Sequence, residues 1–241
     1  MKALKFTLSG RTAFFKNPQV NVSTNYFTFS QIPKTNILGI CGAIMGYSGY
    51  NKAKKDEYKD GYTEYYSKLK DLKIAIVPKM NKRGFKKSKH CITDTTCLNS
   101  QDGVLLESQI WLENVKWNIY IILDNEEAEK LADRIINHKH RYHIYLGKND
   151  HFAQISNEEI IELETLDNEE VTEIHSLVEK DKIKTMRTTH TTSYIEYLPV
   201  ALEKDTGRYI YKKIMTTNSK IKVTDKDLRV YNNDNENIVF I

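Results

Sequence analysis

The 241-residue sequence has no long apolar run. A helix that crosses a bilayer needs about 20 consecutive apolar residues, and no stretch of the chain approaches that length. The chain opens on alternating apolar and polar residues, not on the basic and apolar regions of a signal peptide. We therefore expect a soluble, cytoplasmic protein of one or two domains, because a chain of this length can bury a substantial core.

Cysteine is also scarce. Only Cys41, Cys91 and Cys97 occur, an odd number at irregular spacing. This pattern argues against a framework of disulfides and fits a reducing compartment.

The signatures of several enzyme classes are missing as well. The sequence contains no Gly-x-x-x-x-Gly-Lys-Ser/Thr loop, no Gly-x-Ser-x-Gly elbow and no His-Glu-x-x-His pair, so it gives no support for triphosphate hydrolysis, serine hydrolysis or zinc proteolysis. Four histidines fall close together, but no cysteine or carboxylate joins them at a zinc-binding spacing: His138, His140, His143 and His151. We expect neither a metal nor a cofactor.

Charge is present but unevenly distributed. The formal net charge is +4, yet residues 1–120 carry 19 Lys and Arg against 9 Asp and Glu, and residues 121–241 carry 17 against 23. The first half is thus +10 and the second −6. This asymmetry predicts a basic face for a polyanion in the first half and an acidic surface, solvated or facing a partner, in the second.

The apolar periodicity of residues 1–156 predicts an α+β domain. Strand-like and helix-like segments follow in the order β-α-β-β-α-β, which is the split βαβ arrangement of RRM-like and ferredoxin-like domains. The first predicted strand lies around Leu4, Phe6 and Leu8, and the helix after it is capped by Thr35 or Asn36. The remaining predicted elements are strand Leu72–Val77, a long polar segment over 79–103, strands Val104–Trp111 and Val115–Leu123 joined by a turn, helix Glu126–His138 capped by Asp124 or Asn125, and strand Phe152–Ile155.

Residues 157–241 predict a small β-rich domain packed on the first. Their texture is acidic and β-branched, with short apolar runs typical of strands. Asp205-Thr206-Gly207 is typical of a hairpin turn. The predicted strands are Ile160–Leu166, Val171–Val178, Tyr194–Leu198, Arg208–Met215 and Leu228–Tyr231.

The segment from Gly10 to Gly46 predicts a surface suited to phosphate. It has the pattern of a strand exit, a polar loop and a helix entered at a proline and rich in glycine, which we expect to permit close approach of another backbone. Cations flank aromatic residues in the loop, and polar residues begin the helix. The candidate RNA-binding residues are Arg11, Lys16, Lys34, Thr35 and Asn36, whose alternative roles are solvated cations and an ordinary helix cap.

The most basic segment is 79–90, with six cations and no acid in twelve residues. A basic loop that carries an apolar ring can bind a phosphate backbone and insert between bases. It can equally be a solvated charged loop, and composition alone does not decide between the two. The candidate RNA-binding residues here are Lys82, Arg83, Phe85, Lys86, Lys87, Lys89 and His90.

Two blocks of the sequence resemble a known family. The first is Ile32-Pro33-Lys34-Thr35-Asn36-Ile37-Leu38-Gly39-Ile40-Cys41-Gly42-Ala43-Ile44-Met45-Gly46, after a leading strand and an aromatic-rich loop. The second is Tyr142-His143-Ile144-Tyr145-Leu146-Gly147-Lys148-Asn149-Asp150-His151-Phe152-Ala153-Gln154-Ile155. In this order they resemble the fifth-numbered CRISPR-associated (Cas) protein family of the RAMP superfamily. The resemblance covers residues 1–156 and extends only loosely, through Tyr197-Leu198-Pro199-Val200, into the tail.

The resemblance implies a function. Such proteins hold the 5′ handle of the guide RNA (crRNA) in type I Cascade complexes of antiviral defence, and they press a thumb hairpin, here expected over 79–103, against that RNA. The motifs look most like type I-B members, which do not cut RNA. The implied partners are the crRNA handle, the Cascade backbone subunit and the large subunit, and indirectly the target DNA.

Two alternatives remain open. In the type I-C branch of the same family the protein itself cuts precursor crRNA without a metal, using a Tyr, a Lys and a His, and this sequence offers Tyr47, Lys89 and His90 for those roles. The other alternative is a general single-stranded RNA-binding module outside CRISPR. Handle binding and precursor cutting both require a preference for RNA that carries the repeat-derived handle, whereas a general RNA-binding module has no such preference.

Overall fold

The structure is a computed structural model that describes residues 1–22, 24–50, 61–81, 83–94, 105–166, 172–186, 191–233 and 236–241. Its fold is mixed α+β and mostly sheet, as predicted. The described residues of the first two-thirds of the chain supply a seven-stranded sheet and three helices. These elements are β1 Lys2–Ala13, β2 Lys16–Val22, β3 Asn25–Thr28, α1 Lys34–Met45, α2 Glu64–Leu69, β4 Ile74–Pro78, β5 Lys86–Asp94, β6 Leu105–Ile122, α3 Glu126–Ile136 and β7 Gln154–Glu162.

The centre of the sheet has the order β4-β6-β1-β7, with every neighbouring pair antiparallel. Since α1 and α2 connect β1 to β4 and α3 connects β6 to β7, the predicted β-α-β-β-α-β connection is present. The alternation of apolar and polar residues in β1 fixes the register of this strand, because Leu4, Phe6 and Leu8 face the helices and are buried. Leu4 pairs with Ile121 and Phe6 with Ile119, which extends the same apolar face across β6.

Strand β6 corrects the predicted pair of strands 104–111 and 115–123. It is one strand of 18 residues, and the expected turn does not form. Asn114 there has a φ of 50°, which asparagine tolerates better than most residues. The pairing of Glu113 with Thr12 and of Val115 with Gly10 continues on both sides of Asn114, so β1 holds the chain extended.

The distal half of β6 carries the remaining strands. β5 pairs with it from Lys86↔Glu113 to Asp94↔Leu105, which places a hairpin arm where the thumb was expected; residues 95–104 of that prediction lie outside the described residues. On the other side β3 runs parallel to β6, and β2 pairs with β3. The segment predicted as a polar loop after β1 therefore contains two strands.

The helices begin for different reasons. Asn125 caps α3 as predicted, since its Oδ1 accepts from the N–H of Ala128 at 2.9 Å. The predicted cap of α1 by Thr35 or Asn36 is wrong, because α1 already begins at Lys34 and its cap is Pro33. The proline holds the extended entry (φ −68°, ψ 151°), so no side-chain cap is formed.

The C-terminal region packs against both faces of the central sheet. Leu198, Leu202 and Ile214 join the core on the helix side, whereas Tyr231 and Ile238 pack against Tyr120 on the opposite face. Its strands form three small sheets: β8 Glu164–Leu166, β9 Thr172–Glu173, β10 Val178–Glu179, β11 Ile183–Thr185, β12 Ser193–Leu202, β13 Tyr209–Thr217, β14 Lys220–Val223, β15 Val230–Asn233 and β16 Glu236–Ile238.

The hairpin predicted at 205–207 joins β12 to β13, and the N–H of Gly207 donates to the carbonyl of Glu203. The strand predicted over 171–178 is wrong as a single element. The N–H groups of His175 and Leu177 donate to the carbonyls of Asn237 and Ile76, in different parts of the fold, and only the short strands β9 and β10 remain.

The predicted boundary between the two domains, at residues 156 and 157, falls within β7. Among the described residues, no helix combines the length and apolarity needed to cross a membrane.

Candidate nucleic-acid interface

A cleft of about 400 Å³ opens along one side of α1. Gly39 lies on this exposed side, with no neighbouring atom within 4 Å of where a β-carbon would stand. The other two glycines of the first block are covered by side chains, Gly42 by Tyr65 and Gly46 by Arg141. Close approach to α1 was expected from another backbone. At Gly42 and Gly46 the nearest atoms belong to side chains, the third glycine faces open space, and the backbone that comes close to α1 does so at its last turn.

The loop between α3 and β7, residues 139–153, forms the opposite wall. The backbone N–H groups of Arg141 and Tyr142 donate to the carbonyls of Ile44 and Ala43 at the end of α1, at 3.1 and 3.2 Å. These bonds satisfy carbonyls that the last turn of a helix leaves without partners. Further along, the N–H of Phe14 donates to the carbonyl of Leu146 at 3.0 Å. The loop is thereby fixed to both α1 and the end of β1.

Exposed aromatic rings line this cleft from three parts of the chain. Tyr50 follows α1, Tyr145 belongs to the loop, and Tyr209 begins β13; their exposed fractions are 58%, 45% and 44%. Rings of this exposure in a concave surface are available to stack on planar groups.

A second cleft, of about 410 Å³, continues the first. Asn36, Gly147 and Tyr209 line both, so the two form one surface, which we call the α1 groove. The second part adds two cations, Lys16 and Lys148. Lys16 Nζ lies 3.9 Å from the centre of the Tyr26 ring, and Lys148 Nζ lies 3.2 Å from a carboxylate oxygen of Asp150.

The three polar residues predicted at the start of α1 have different environments. Asn36 lines the groove. Thr35 also lines it but is buried, and among the described residues its Oγ1 has no hydrogen-bond partner. Lys34 points away, because its Nζ donates to the backbone oxygen of Ile241 at 2.6 Å. Burial, reinforced by Lys212, lowers the pKa of Lys34 to about 8, so the predicted phosphate contact of Lys34 is not what its position supports.

The other early candidates, Lys16 and Arg11, differ in position. Lys16 lies in the groove, and Arg11 is exposed on β1 outside the residues that line it. Phe14 and Phe15, the aromatic residues that these two cations flank in the sequence, are buried, with 5% and 2% exposure. The ring of Phe15 meets Trp117 edge-on.

The described residues of the basic segment lie in the turn before β5 and in β5 itself. We call the hairpin of β5 with β6, together with this turn, the β5 arm. Arg83 and Lys89 are exposed, whereas Lys86 pairs with Glu113 and Lys87 Nζ donates to Ser30 Oγ at 2.8 Å. Lys82 lies outside the described residues. Phe85 is not a projecting wedge. Its ring packs edge-on against the buried Trp117 at 5.0 Å, because the turn at 81–84 folds it back onto the sheet.

Among the described residues, no hydrogen bond, ion pair or ring contact joins Tyr47 to Lys89 or His90. His90 stacks on Trp111 at 3.9 Å, and its Nε2 is bonded to Ser88 Oγ at 2.8 Å. Lys87, on the same strand as His90, contacts Ser30, which precedes α1. Tyr47 follows the C-terminal end of that helix, whose 12 residues span about 18 Å. The hydroxyl of Tyr47 donates to Glu127, and burial raises its pKa, which disfavours the ionised form that a general base requires.

Sequence reasoning missed most of the groove. Tyr145 and Lys148 lie in the second block of the resemblance, but no pattern in that block placed them beside α1. Tyr50 and Tyr209 carried no signal, since their proximity depends on the C-terminal hairpin reaching back to α1. Within the described ranges, no three His, Cys, Asp or Glu side chains are grouped so as to hold a metal ion.

Known proteins resemble this chain in structure and not in sequence. No protein-family model and no curated protein sequence matches the chain. Among solved structures, a CRISPR protein from Archaeoglobus fulgidus aligns with a TM-score of 0.55 at 11% identity, over 100% of this chain and 99% of that one. A chain of a CRISPR RNA-guided surveillance complex gives 0.49 at 14% identity over 90% of each. A chain of the type III-B Cmr-beta complex bound to cognate target RNA and AMPPnP gives 0.45 at 12%, over 100% and 86%.

The first of these comparisons decides the fold. The A. fulgidus protein and this chain share one architecture along nearly their whole lengths. At 11% identity the likeness concerns the fold alone. Any function must therefore be argued from the groove and the β5 arm of this chain.

Proposed function

We propose that this chain binds single-stranded RNA along the α1 groove. The observation that carries the proposal is the meeting of three exposed tyrosine rings with two lysines in one continuous concave surface: Tyr50, Tyr145, Tyr209, Lys16 and Lys148. Single-stranded nucleic acid is bound by such a combination, in which cations follow the backbone and rings stack on bases. A base stacked on an aromatic side chain contributes about 1–3 kcal/mol, so the groove can hold several nucleotides without reading every base.

The RNA is, on this proposal, the 5′ handle of crRNA, and the chain is a subunit of a type I Cascade that resembles type I-B. The fold shared with the A. fulgidus CRISPR protein supports this assignment, as does the position of the second resembling block, which forms a wall of the groove. The β5 arm presents Arg83 and Lys89 to the RNA and fixes its bend. The backbone subunit and the large subunit of Cascade are the proposed partners, and target DNA is reached through them.

The proposed role is binding without cutting. The separate contacts of Tyr47 with Glu127 and of His90 with Ser88 and Trp111 support this choice over the nuclease alternative. A groove whose cations lie beside stacking rings suits retention of a strand. The same protein would then stay on its guide RNA as the complex assembles around it.

A single binding assay tests the proposal. Labelled handle RNA, precursor repeat RNA and a scrambled RNA are titrated with the protein in EDTA, with anisotropy to measure affinity and a gel to detect cleavage. Selective binding of the handle without cutting supports the proposal. Equal affinity for the scrambled RNA would remove the handle assignment, and a specific cut that His90→Ala abolishes would replace binding by catalysis.

Variants locate the binding surface. We expect Tyr145→Leu to weaken the affinity for handle RNA by roughly tenfold, since one stacking ring is lost. Tyr197→Leu is the matched control, because Tyr197 is 50% exposed and lies outside the groove. If both variants bind as the unchanged protein does, the RNA lies elsewhere.

A further inference from the structure

A third cavity, of about 460 Å³, lies at the base of the β5 arm, between the turn that precedes β5 and the β12–β13 hairpin. We call it the arm-base cavity. Its floor is apolar, with Leu198 and Ile214 buried and Phe85 packed on Trp117. It shares no described residue with the α1 groove, so the two surfaces are separate.

The one carboxylate of this cavity is satisfied from within the chain. Both oxygens of Glu196 accept from the backbone N–H of Ser30, at 2.9 and 3.1 Å. Burial raises the pKa of Glu196, and the Ser30 N–H, Lys87, the Ser30 hydroxyl and the Gln31 backbone act in the opposite direction. Since this polar group already has its donors, the apolar floor decides what the cavity accepts.

The strand beside the cavity is an edge strand. Within the described part of the chain, β12 pairs only with β13. It is ten residues long, and its first half exposes large side chains, with Tyr194, Ile195 and Tyr197 at 46%, 53% and 50%. Exposed edges of soluble proteins are usually short or protected by charge or proline, and the proline of β12, Pro199, falls in its second half. The first half is therefore suited to pairing with an extended segment of another chain.

The neighbourhood of this edge is basic. Lys213 lies opposite Tyr197 on β13 and is exposed, with its Nζ 5.7 Å from the centre of the Tyr197 ring. The adjacent Lys212 pairs with Glu179, whereas Lys213 forms no ion pair with a described residue. An incoming carboxylate would complement Lys213. A phosphate chain could do so too, but its bases gain little from an aliphatic floor of Leu198 and Ile214.

We propose that the first half of β12, together with the arm-base cavity, is the docking surface for an extended, acidic and apolar segment of a partner protein. The segment adds a strand to the β12 edge, places one large apolar side chain in the cavity and sets a carboxylate beside Lys213. In such strand addition the main-chain bonds provide affinity and the side-chain pockets provide specificity.

The pleat of β12 adds a constraint on spacing. Glu196 and Leu198 face the cavity, and Tyr197 between them faces Lys213. Because successive side chains of a strand point to opposite faces, the apolar residue and the carboxylate of the segment must be an odd number of positions apart.

A library of short random peptides displayed on phage, selected on the purified full-length chain, tests the proposal. We expect the enriched peptides to share a large apolar residue with an aspartate or glutamate at an odd spacing. Synthetic copies with alternate backbone amides methylated should bind at least about tenfold more weakly, because methylation removes several hydrogen bonds to the edge.

Variants test the cavity and the charge separately. Thr216→Trp fills the cavity from β13 and should weaken the selected peptides by at least about tenfold. Lys213→Glu should change the selected acids to lysine and arginine. Thr224→Trp and Lys226→Glu, at exposed positions of the same region, are the matched controls and should change neither result.

Three outcomes would overturn the inference. The first is a selection without the common pattern, or peptides that bind Thr216→Trp and Lys213→Glu as they bind the unchanged chain, in variants whose thermal unfolding shows them folded. The second is displacement of the peptides by handle RNA, which would assign the surface to RNA. The third is self-association in sedimentation that Ile195→Asp abolishes, which would make the surface a contact between copies of this chain. The peptide assay contains no RNA, so failure of the proposed function leaves it unaffected.

Discussion

A β-carbon on residue 147 would stand 2.0 Å from the backbone oxygen of Phe14, a separation that no packed structure allows. Gly147 also has a φ of +92°, which side-chain-bearing residues rarely adopt. Together with the bond from the Phe14 N–H to Leu146, this contact joins the loop that walls the α1 groove to the end of β1. The shape of the groove thus depends on the backbone at one position.

Gly147→Ala should therefore displace the loop. We expect a loss of at least about 1–2 kcal/mol in the free energy of unfolding, measured with denaturant, because the strained φ and the overlap with Phe14 act together. RNA affinity should fall with it.

Gly39→Ala is the contrasting control. Its β-carbon meets open space in the middle of α1, so the variant should be more stable, by about 0.5–1 kcal/mol. Equal stability of the two alanine variants would show that residue 147 is not constrained as the contact with Phe14 requires.

The cations of the groove should appear in the salt dependence of binding. Each phosphate contact on single-stranded nucleic acid contributes about 0.7 to the slope of log affinity against log salt. Lys16→Met and Lys148→Met should each reduce that slope by about 0.7. Lys226→Met, which changes an exposed lysine of the C-terminal region, should leave it unchanged. Slopes that do not differ among the three variants would place the phosphates outside the groove.

The central fold was predictable because its periodicity is local. Leu4, Phe6 and Leu8 alternate, and the pattern of α3 begins after a capping Asn125, so each element could be recognised within a few residues. β6 was divided wrongly because Glu113-Asn114 has the composition of a turn. The register with β1 on both sides keeps the chain extended there, and that register involves residues about a hundred positions away.

The groove was less predictable for the same reason. Its aromatic rings come from residues 50, 145 and 209, which no spacing relates. Lys34 illustrates the opposite error: a lysine at the start of a helix matched a phosphate site, but tertiary packing turned its Nζ toward Ile241. Composition identified which half of the chain is basic. It could not show which lysines face a concave surface.

A buried hydrogen bond links β6 to the segment that leads into α1. Trp117 is fully buried, and its Nε1 donates to Gln31 Oε1 at 3.0 Å. Gln31→Leu leaves this indole N–H without a partner, and we expect a loss of about 1–3 kcal/mol in the free energy of unfolding.

Gln109→Leu is the comparison for that loss. Gln109 accepts from the Nε1 of Trp111, a partly exposed ring whose N–H can bond to water instead. Gln109→Leu should therefore lower the free energy of unfolding by distinctly less than Gln31→Leu does. A reversed order would mean that burial of the indole is not what sets the cost.

Lys34 gives a prediction in pH. Its pKa is about 8 in the folded protein, against an ordinary 10.5, chiefly because it is buried. Between these two values the unfolded chain holds the proton more tightly than the folded one, so the stability of the protein rises with pH through this window. In Lys34→Met that contribution is absent. The advantage of the methionine variant should be greatest at neutral pH, where the buried charge is present, and should shrink above about pH 8 by on the order of 1 kcal/mol per pH unit.

Denaturant unfolding of both proteins between neutral pH and about pH 9.5 measures this difference. Lys116→Met, which changes an exposed lysine on β6, should give a curve parallel to that of the unchanged protein. Parallel curves for Lys34→Met as well would mean that Lys34 titrates as an exposed lysine does. That side chain would then be available to phosphate after all, and its variant should weaken RNA binding. With Nζ held at Ile241, we expect RNA affinity to stay within about twofold, since no phosphate contact and none of the salt slope is lost.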